Sequence, residues 1–171
     1  MRFSTRTVTN LSLLTAVSIV LTRVFGVVLP LGGFAALRLS FGEIPIMLAG
    51  VLFGPLPGAV TGAAADLIGY LVNPHGGPYF PGFTISAILT GLIAGLMMHK
   101  RRSYTWQQMG MMVAVNDLIT SVFMNTYWLV IMYGLNVWVI LPTRLLARLV
   151  TIPIYTIILV LIARTYRKLG K

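Results

Sequence analysis

The chain lacks several residue types that soluble and catalytic proteins rely on. Its 171 residues include no cysteine, two histidines and three acidic residues. Without cysteine there are no disulfides, zinc–thiolate sites or cysteine nucleophiles, and two histidines are too few for a histidine metal cage. Charged residues make up only 9% of the chain, against roughly 25% in soluble domains. A soluble monomer is therefore not expected.

Sequence motifs for nucleotide binding and hydrolysis are also missing. The chain contains no G-x-x-x-x-G-K-[ST], no H-E-x-x-H and no G-x-S-x-G. The first absence excludes ATP binding through a P-loop, and the other two weaken the case for a membrane protease or esterase. We expect no enzyme activity and no bound cofactor. Active uptake by such a chain would draw its energy from a partner or from an ion gradient.

Apolar residues are abundant and fall into long runs. They make up 57% of the chain, and a membrane-spanning helix needs ~20 of them. The sequence predicts a single all-α integral membrane domain, residues 1–171, with six transmembrane helices. The predicted spans are 8–29, 41–53, 59–72, 83–98, 109–133 and 142–163, with a turn over Gly54–Gly58 and Pro142 as a first helical residue.

The positive charge predicts how these spans are oriented. The net charge is +10, and nine cations lie in three patches: Arg2 and Arg6; Lys100, Arg101 and Arg102; Arg164, Arg167, Lys168 and Lys171. Six spans place all three patches on one side of the membrane, whereas five or seven would split them. The positive-inside rule makes that side cytoplasmic. We therefore expect a multi-pass protein of the cell membrane with both termini in the cytoplasm, and no nucleic-acid partner.

Small residues recur at four-residue steps in several spans. Glycines stand at positions 50, 54, 58 and 62, and Ala87, Gly91 and Gly95 repeat the step. This spacing lets helix backbones approach closely in lipid, so it favours tight packing of these spans. Ser12 and Ala16 form the same kind of pair in the first span, where it could instead face a partner protein.

Four cations lie outside the basic patches: Arg23, Arg38, Arg144 and Arg148. All four belong to the predicted outer half, and arginine at the centre of a span costs about 2.5–3.5 kcal/mol. Converging guanidinium groups can bind carboxylates or phosphates. The alternative is that Arg23 pairs with Asp66 or Glu43 while Arg144 and Arg148 reach the interface.

Further polar and aromatic groups are predicted near these arginines. Asp66 shares a helical face with Gly62, Gly69 and Asn73, which directs it toward the interior, while Asp117 is favoured as a structural hydrogen-bond partner. The aromatic and amide candidates are Tyr79, Phe80, Phe83, Asn125 and Trp128. Flat rings beside arginines and amides suit a planar, hydrogen-bonding, anionic molecule.

Six segments together resemble one family across nearly the whole chain. They are residues 38–46, 50–55, 65–69, 78–84, 125–129 and 141–144, of which Phe-Pro-Gly-Phe-Thr and Asn-Thr-Tyr-Trp-Leu are the most specific. They resemble the folate-specific substrate-binding (S) components of energy-coupling factor (ECF) transporters. The resemblance implies a six-helix membrane protein that captures the vitamin from outside and works with a membrane scaffold and two ATPases that use the ATP. The family's Ala-x-x-x-Ala docking motif would correspond to Ser12 and Ala16.

With this resemblance, the candidate residues take specific roles as hypotheses. Arg23, Arg38 and Arg144 would include the contacts to the glutamate tail, Asp66 or Asn125 would read the pterin, and four aromatic residues would pack on the flat body: Tyr79, Phe80, Phe83 and Trp128. The alternatives are an S component for another vitamin, such as pantothenate or riboflavin, an ion-coupled secondary transporter using Asp66 and Asp117, and a membrane enzyme.

Overall fold

A computed structural model of the chain describes residues 4–31, 34–74, 78–101 and 103–169. In these ranges the chain is a helical bundle with one small hairpin. The helices are α1 (Thr5–Arg23), α2 (Glu43–Phe53), α3 (Pro55–Val72), α4 (Pro81–Met98), α5 (Trp106–Asn116), α6 (Asn125–Tyr133) and α7 (Val137–Leu169). A π-helical segment, Asp117–Met124, joins α5 to α6 in one continuous helical stretch.

The hairpin follows α1 and was not predicted. Its strands β1 (Val27–Leu31) and β2 (Phe34–Leu39) pair antiparallel, with Val28 opposite Arg38. The first span was predicted to continue to residue 29, but α1 ends at Arg23. Gly26 and the β-branched pair Val27 and Val28 have low helix propensity, and strand pairing satisfies their backbone groups instead.

We call the two ends of the bundle the hairpin end and the basic end. The hairpin end carries the hairpin, the α3–α4 connection and the α6–α7 connection. The basic end carries the start of α1, the turn at Gly54, the α4–α5 connection and the end of α7. There, Arg164 donates two hydrogen bonds to the Tyr104 carbonyl, at 2.8 Å from Nε and 2.7 Å from Nη2.

Glycines bring α2, α3 and α4 into backbone contact. A Cβ at Gly62 would collide with the Ala87 carbonyl, and one at Gly91 with the Gly58 carbonyl. The predicted role of the four-residue glycine spacing in close packing is therefore confirmed. Beside this contact, buried side chains of α2, α4, α5 and α7 form the apolar core, which includes Met47, Met112 and Tyr155.

Several predicted helix boundaries are wrong in ways that proline explains. The predicted turn over Gly54–Gly58 is confined to Gly54, whose φ of 111° suits glycine, and α3 begins at Pro55. Pro55 and Pro81 stand in first helical turns, where the missing N–H costs nothing. Pro142, predicted as a first helical residue, instead lies inside α7.

By length and composition, three described helical ranges can cross a membrane: Pro55–Val72, Pro81–Met98 and Ile140–Lys168. Helix α2 is apolar but shorter, as predicted for the second span. Large apolar side chains point outward, including Leu71, Leu96 and Leu149. Such a surface suits a lipid environment better than water.

Candidate functional site

Two groups of charged side chains lie inside the bundle. The first, here the Asp66 cluster, consists of Arg23, Asp66, Asn73, Tyr79 and Thr84. The second, here the Glu43 cluster, consists of Glu43, Asp117, Ser121, Arg144 and Arg148. The hydrogen bonds and ion pairs within each are described below.

The Asp66 cluster ties the end of α1 to the α3–α4 connection. Arg23 Nη2 lies 3.6 Å from Asp66 Oδ1, and Arg23 Nη1 donates to the Asn73 carbonyl at 2.9 Å. Asp66 Oδ2 accepts a 2.7 Å hydrogen bond from Thr84 Oγ1, which lies 2.8 Å from the Tyr79 hydroxyl. The predicted alternative that Arg23 pairs with Asp66 is therefore what the structure shows.

The Glu43 cluster joins α2, the π-helical segment and α7. Arg148 Nη1 lies 3.2 Å from Asp117 Oδ2 and 3.5 Å from Glu43 Oε2. Ser121 Oγ donates to Glu43 Oε1 at 3.3 Å, and Arg144 donates to the Ser121 carbonyl. Arg144 and Arg148 do not extend to the interface, so that prediction is wrong, since both point into the bundle. Asp117 has the structural pairing that was favoured for it.

Charge is balanced within both clusters. The Asp66 cluster holds one guanidinium and one carboxylate, and the Glu43 cluster holds two of each. Balanced pairs lower the cost of placing arginine in a membrane. The inner arginines described here therefore do not require a ligand for charge neutrality. Arg38 stands opposite Val28 in the hairpin ladder, and its side chain lies outside the described structure.

Three of the four predicted aromatic residues come together: Phe80, Phe83 and Trp128. Ring centroids of Phe80 and Trp128 are 5.6 Å apart, those of Phe80 and Phe83 are 6.0 Å apart, and Tyr127 lies 5.1 Å from Trp128. Trp128 Nε1 donates to Ser86 Oγ at 3.1 Å, which fixes the indole on α4. Tyr79, by contrast, belongs to the Asp66 cluster, and its ring is tilted against that of Tyr70 with the centroids 5.2 Å apart.

Several buried polar atoms in this half of the bundle make no hydrogen bond. They include Arg23 Nε, Glu43 Oε2, Asp117 Oδ1 and Asn125 Oδ1. Buried polar atoms are normally satisfied, so these atoms are candidates for contact with a ligand or with water. Glu43 was not selected from the sequence as a site residue. The signal that could have found it is the rarity of acidic residues in this chain, of which there are three.

The predicted partner-binding pair lies on the surface. Ser12 and Ala16 are both exposed on α1, and Leu13 and Val17 beside them are 62% and 40% exposed. The face is small, apolar and open, as a helix-docking surface in a membrane would be.

Comparison with known proteins identifies the family. A family model described as "ECF-type riboflavin transporter, S component" matches residues 2–168. The chain belongs to the S-component family of ECF transporters. The predicted helical S-component fold is thereby confirmed, with the hairpin as an addition. This S component is a multi-pass membrane protein, and its relatives are transporters and not enzymes, as predicted.

Three relatives carry a more specific name. "Folate transporter FolT" of Clostridium novyi (strain NT) is 33% identical over 141 residues, covering 82% of this S component and 78% of the relative. "Folate transporter FolT" of Leuconostoc mesenteroides subsp. mesenteroides is 32% identical over 133 residues, which cover 77% of this S component and 68% of the relative. A solved structure described as FolT bound with folic acid superposes with a TM-score of 0.78 at 33% identity. The superposition covers 91% of this S component and 90% of the solved chain.

These findings also bear on the two alternatives from other classes. An ion-coupled secondary transporter was predicted to use Asp66 and Asp117, but each of these carboxylates lies beside an arginine. Because the chain belongs to the S-component family, neither the ion-coupled carrier nor the membrane enzyme is retained as an interpretation.

Proposed function

We propose that the chain is the folate-binding subunit of an ECF transporter. The observation that carries this proposal is the similarity to FolT over nearly the full length, including the structure that holds folic acid. The polar and aromatic groups at the hairpin end support it, since folate combines a donor-rich pterin, a flat aromatic body and a dianionic tail.

The proposed contacts follow from the chemistry of each part of folate. Phe80, Phe83 and Trp128 would pack on the flat body, with Tyr79 at their margin. The tail carboxylates would meet arginines from the set Arg23, Arg38 and Arg144. Arg23 still carries a buried Nε donor without an acceptor.

Of Asp66 and Asn125, the two residues predicted to contact the pterin, Asn125 is the better candidate. Its Oδ1 is buried and accepts no hydrogen bond. Both oxygens of Asp66 are already engaged, one by Thr84 Oγ1 and the other by Arg23. A ligand donor would therefore compete with protein donors at Asp66 but not at Asn125.

The partner subunits and the orientation belong to the same proposal. A membrane scaffold would dock on the exposed face around Ser12 and Ala16, and two ATPases would supply the energy, so the chain itself needs no cofactor. The basic end would face the cytoplasm, because described cations such as Arg6, Lys100 and Lys168 lie there. Ligand would then enter from outside at the hairpin end.

Replacing Ser12 and Ala16 tests the docking surface. The double variant Ser12→Leu, Ala16→Leu is expected to lose co-purification with the scaffold and ATPases, because leucine side chains keep helix backbones apart. Folate binding by the isolated chain should not change. Val20→Leu, also exposed on α1, is the control. Retained assembly of the double variant would place the docking surface elsewhere.

Binding of tritiated folate to the purified chain tests the ligand directly. We expect saturable binding that excess unlabelled folate displaces and that riboflavin and pantothenate do not. Riboflavin is the second candidate because the matching family model is described as a riboflavin S component. Riboflavin has no carboxylate, so displacement by riboflavin and not by folate would overturn the proposal.

A further inference from the structure

The backbone that leads into Glu43 is held from two sides. Ser18 Oγ on α1 donates to the Gly42 carbonyl at 2.7 Å, and the Tyr155 hydroxyl on α7 donates to the Ser40 carbonyl. A Cβ at Gly42 would collide with Thr22 Oγ1, so α1 packs directly on this residue. Glu43 then begins α2, where the helix dipole favours a carboxylate.

The Glu43 side chain is held as firmly as its backbone. Ser121 Oγ donates to Oε1 at 3.3 Å, and Arg148 Nη1 lies 3.5 Å from Oε2. Arg148 is itself fixed by Asp117, whose side chain is only 1% exposed, through a 3.2 Å hydrogen bond. Asp117 therefore fixes Arg148 through a hydrogen bond, and Arg148 in turn attracts the Glu43 carboxylate by its charge, since no hydrogen bond joins Arg148 to Glu43.

The Glu43 carboxylate retains accepting capacity that the protein does not use. Its buried Oε2 accepts no hydrogen bond and lies 3.5 Å from Arg148 Nη1, Oε1 accepts one hydrogen bond from Ser121 Oγ, and the side chain as a whole is 26% exposed. Asp66 has a similar set of contacts, with one hydrogen bond from Thr84 and one arginine at 3.6 Å, and its side chain is 20% exposed. Asp117 is too deeply buried to meet a ligand. Glu43 is therefore the most exposed of the three carboxylates, and a carboxylate oxygen that accepts one hydrogen bond can accept a second.

We propose that Glu43 is a specificity-determining residue that accepts N–H hydrogen bonds from the pterin. A pterin presents a ring amide N–H next to an exocyclic amino group, and a carboxylate accepts such donors strongly. The inference rests on the proposed folate-binding function and adds Glu43 to Asn125 as an acceptor.

The test compares two ligands on the purified full-length chain. One is folic acid, and the other is its analogue in which oxygen replaces the 2-amino group. The wild type should bind folic acid about tenfold more tightly than the analogue, because the analogue offers fewer donors to Glu43. In Glu43→Gln this preference should fall toward one, with folic acid weakened about tenfold and the analogue little changed.

A ratio of affinities measured on one variant does not depend on how much of that variant is folded. If Glu43 were only structural, both ligands would weaken together and the ratio would stay at its wild-type value, which would overturn the inference. A wild type that binds both ligands equally would overturn it too, while leaving the folate proposal intact. A wild type that binds neither would contradict the folate proposal itself. Lys168→Gln, at the exposed basic end, is the charge control and should change neither affinity.

Discussion

The Asp66 cluster and the Glu43 cluster bury their arginines to a similar extent, with Arg23 6% and Arg148 11% exposed, and they differ in the carboxylates beside those arginines. In the Asp66 cluster, Arg23 faces one carboxylate at 3.6 Å, and Asp66 remains 20% exposed near the helix ends. In the Glu43 cluster, Arg148 lies between two carboxylates, and one of them is 1% exposed. An uncompensated charge costs more the more deeply it is buried. The comparison therefore indicates that the Glu43 cluster governs stability, while the Asp66 cluster ties loops to helices.

Removing Arg148 should have the largest effect on stability. In Arg148→Met the buried Asp117 and the neighbouring Glu43 both lose their cation, so we expect a loss of about 3–5 kcal/mol. Thermal unfolding in detergent would measure it as a large drop in midpoint. Adding Asp117→Asn to this variant should restore part of the loss, because it removes the most deeply buried unpaired charge. An Arg148→Met protein as stable as wild type would contradict the assignment.

Replacing Arg144 should weaken the binding of folate. Arg144 belongs to the Glu43 cluster and donates a hydrogen bond to the Ser121 carbonyl. We place it among the contacts to the glutamate tail of folate. Arg144→Ala should weaken folate binding by about 1.5–3 kcal/mol if it makes a charged hydrogen bond to the tail. Titration with folate and with pteroate, which lacks the glutamate, distinguishes this contact, since only folate should weaken. Unchanged folate affinity in purified protein would remove Arg144 from the site.

The sequence predicted the helices of the bundle better than the groups inside it. Glycine spacing indicated the packing of α3 on α4 because backbone contact leaves a periodic signature in the chain. The hairpin was missed because an apolar run containing Val27 and Val28 fits a membrane helix as well as a strand. Only pairing with residues 34–39 distinguishes the two.

The polar contacts inside the bundle join residues that are far apart in the sequence. Asp66 was placed correctly because Gly62, Gly69 and Asn73 share its helical face, and Arg23 does pack against Gly69. Glu43 has no such local pattern. Its importance comes from Ser121 and Arg148, which reach it from other helical segments. A single carboxylate without spacing cannot be assigned a partner until the fold is known.

Changing one carboxylate to an amide in each cluster compares the two clusters most directly. The smallest loss of stability among our predictions is expected from one of these changes. Asp66→Asn removes a carboxylate that lies 3.6 Å from Arg23, beyond hydrogen-bond distance. Arg23 keeps its hydrogen bond to the Asn73 carbonyl, and the new amide oxygen can still accept from Thr84 Oγ1, so we expect a loss of about 1 kcal/mol. Asp117→Asn, the matched change in the Glu43 cluster, should cost more, because it removes the hydrogen-bonded partner of a buried arginine. Both losses are read from thermal unfolding under identical conditions. Equal losses would mean that burial does not separate the two clusters, and a larger loss at Asp66 would reverse their assigned roles.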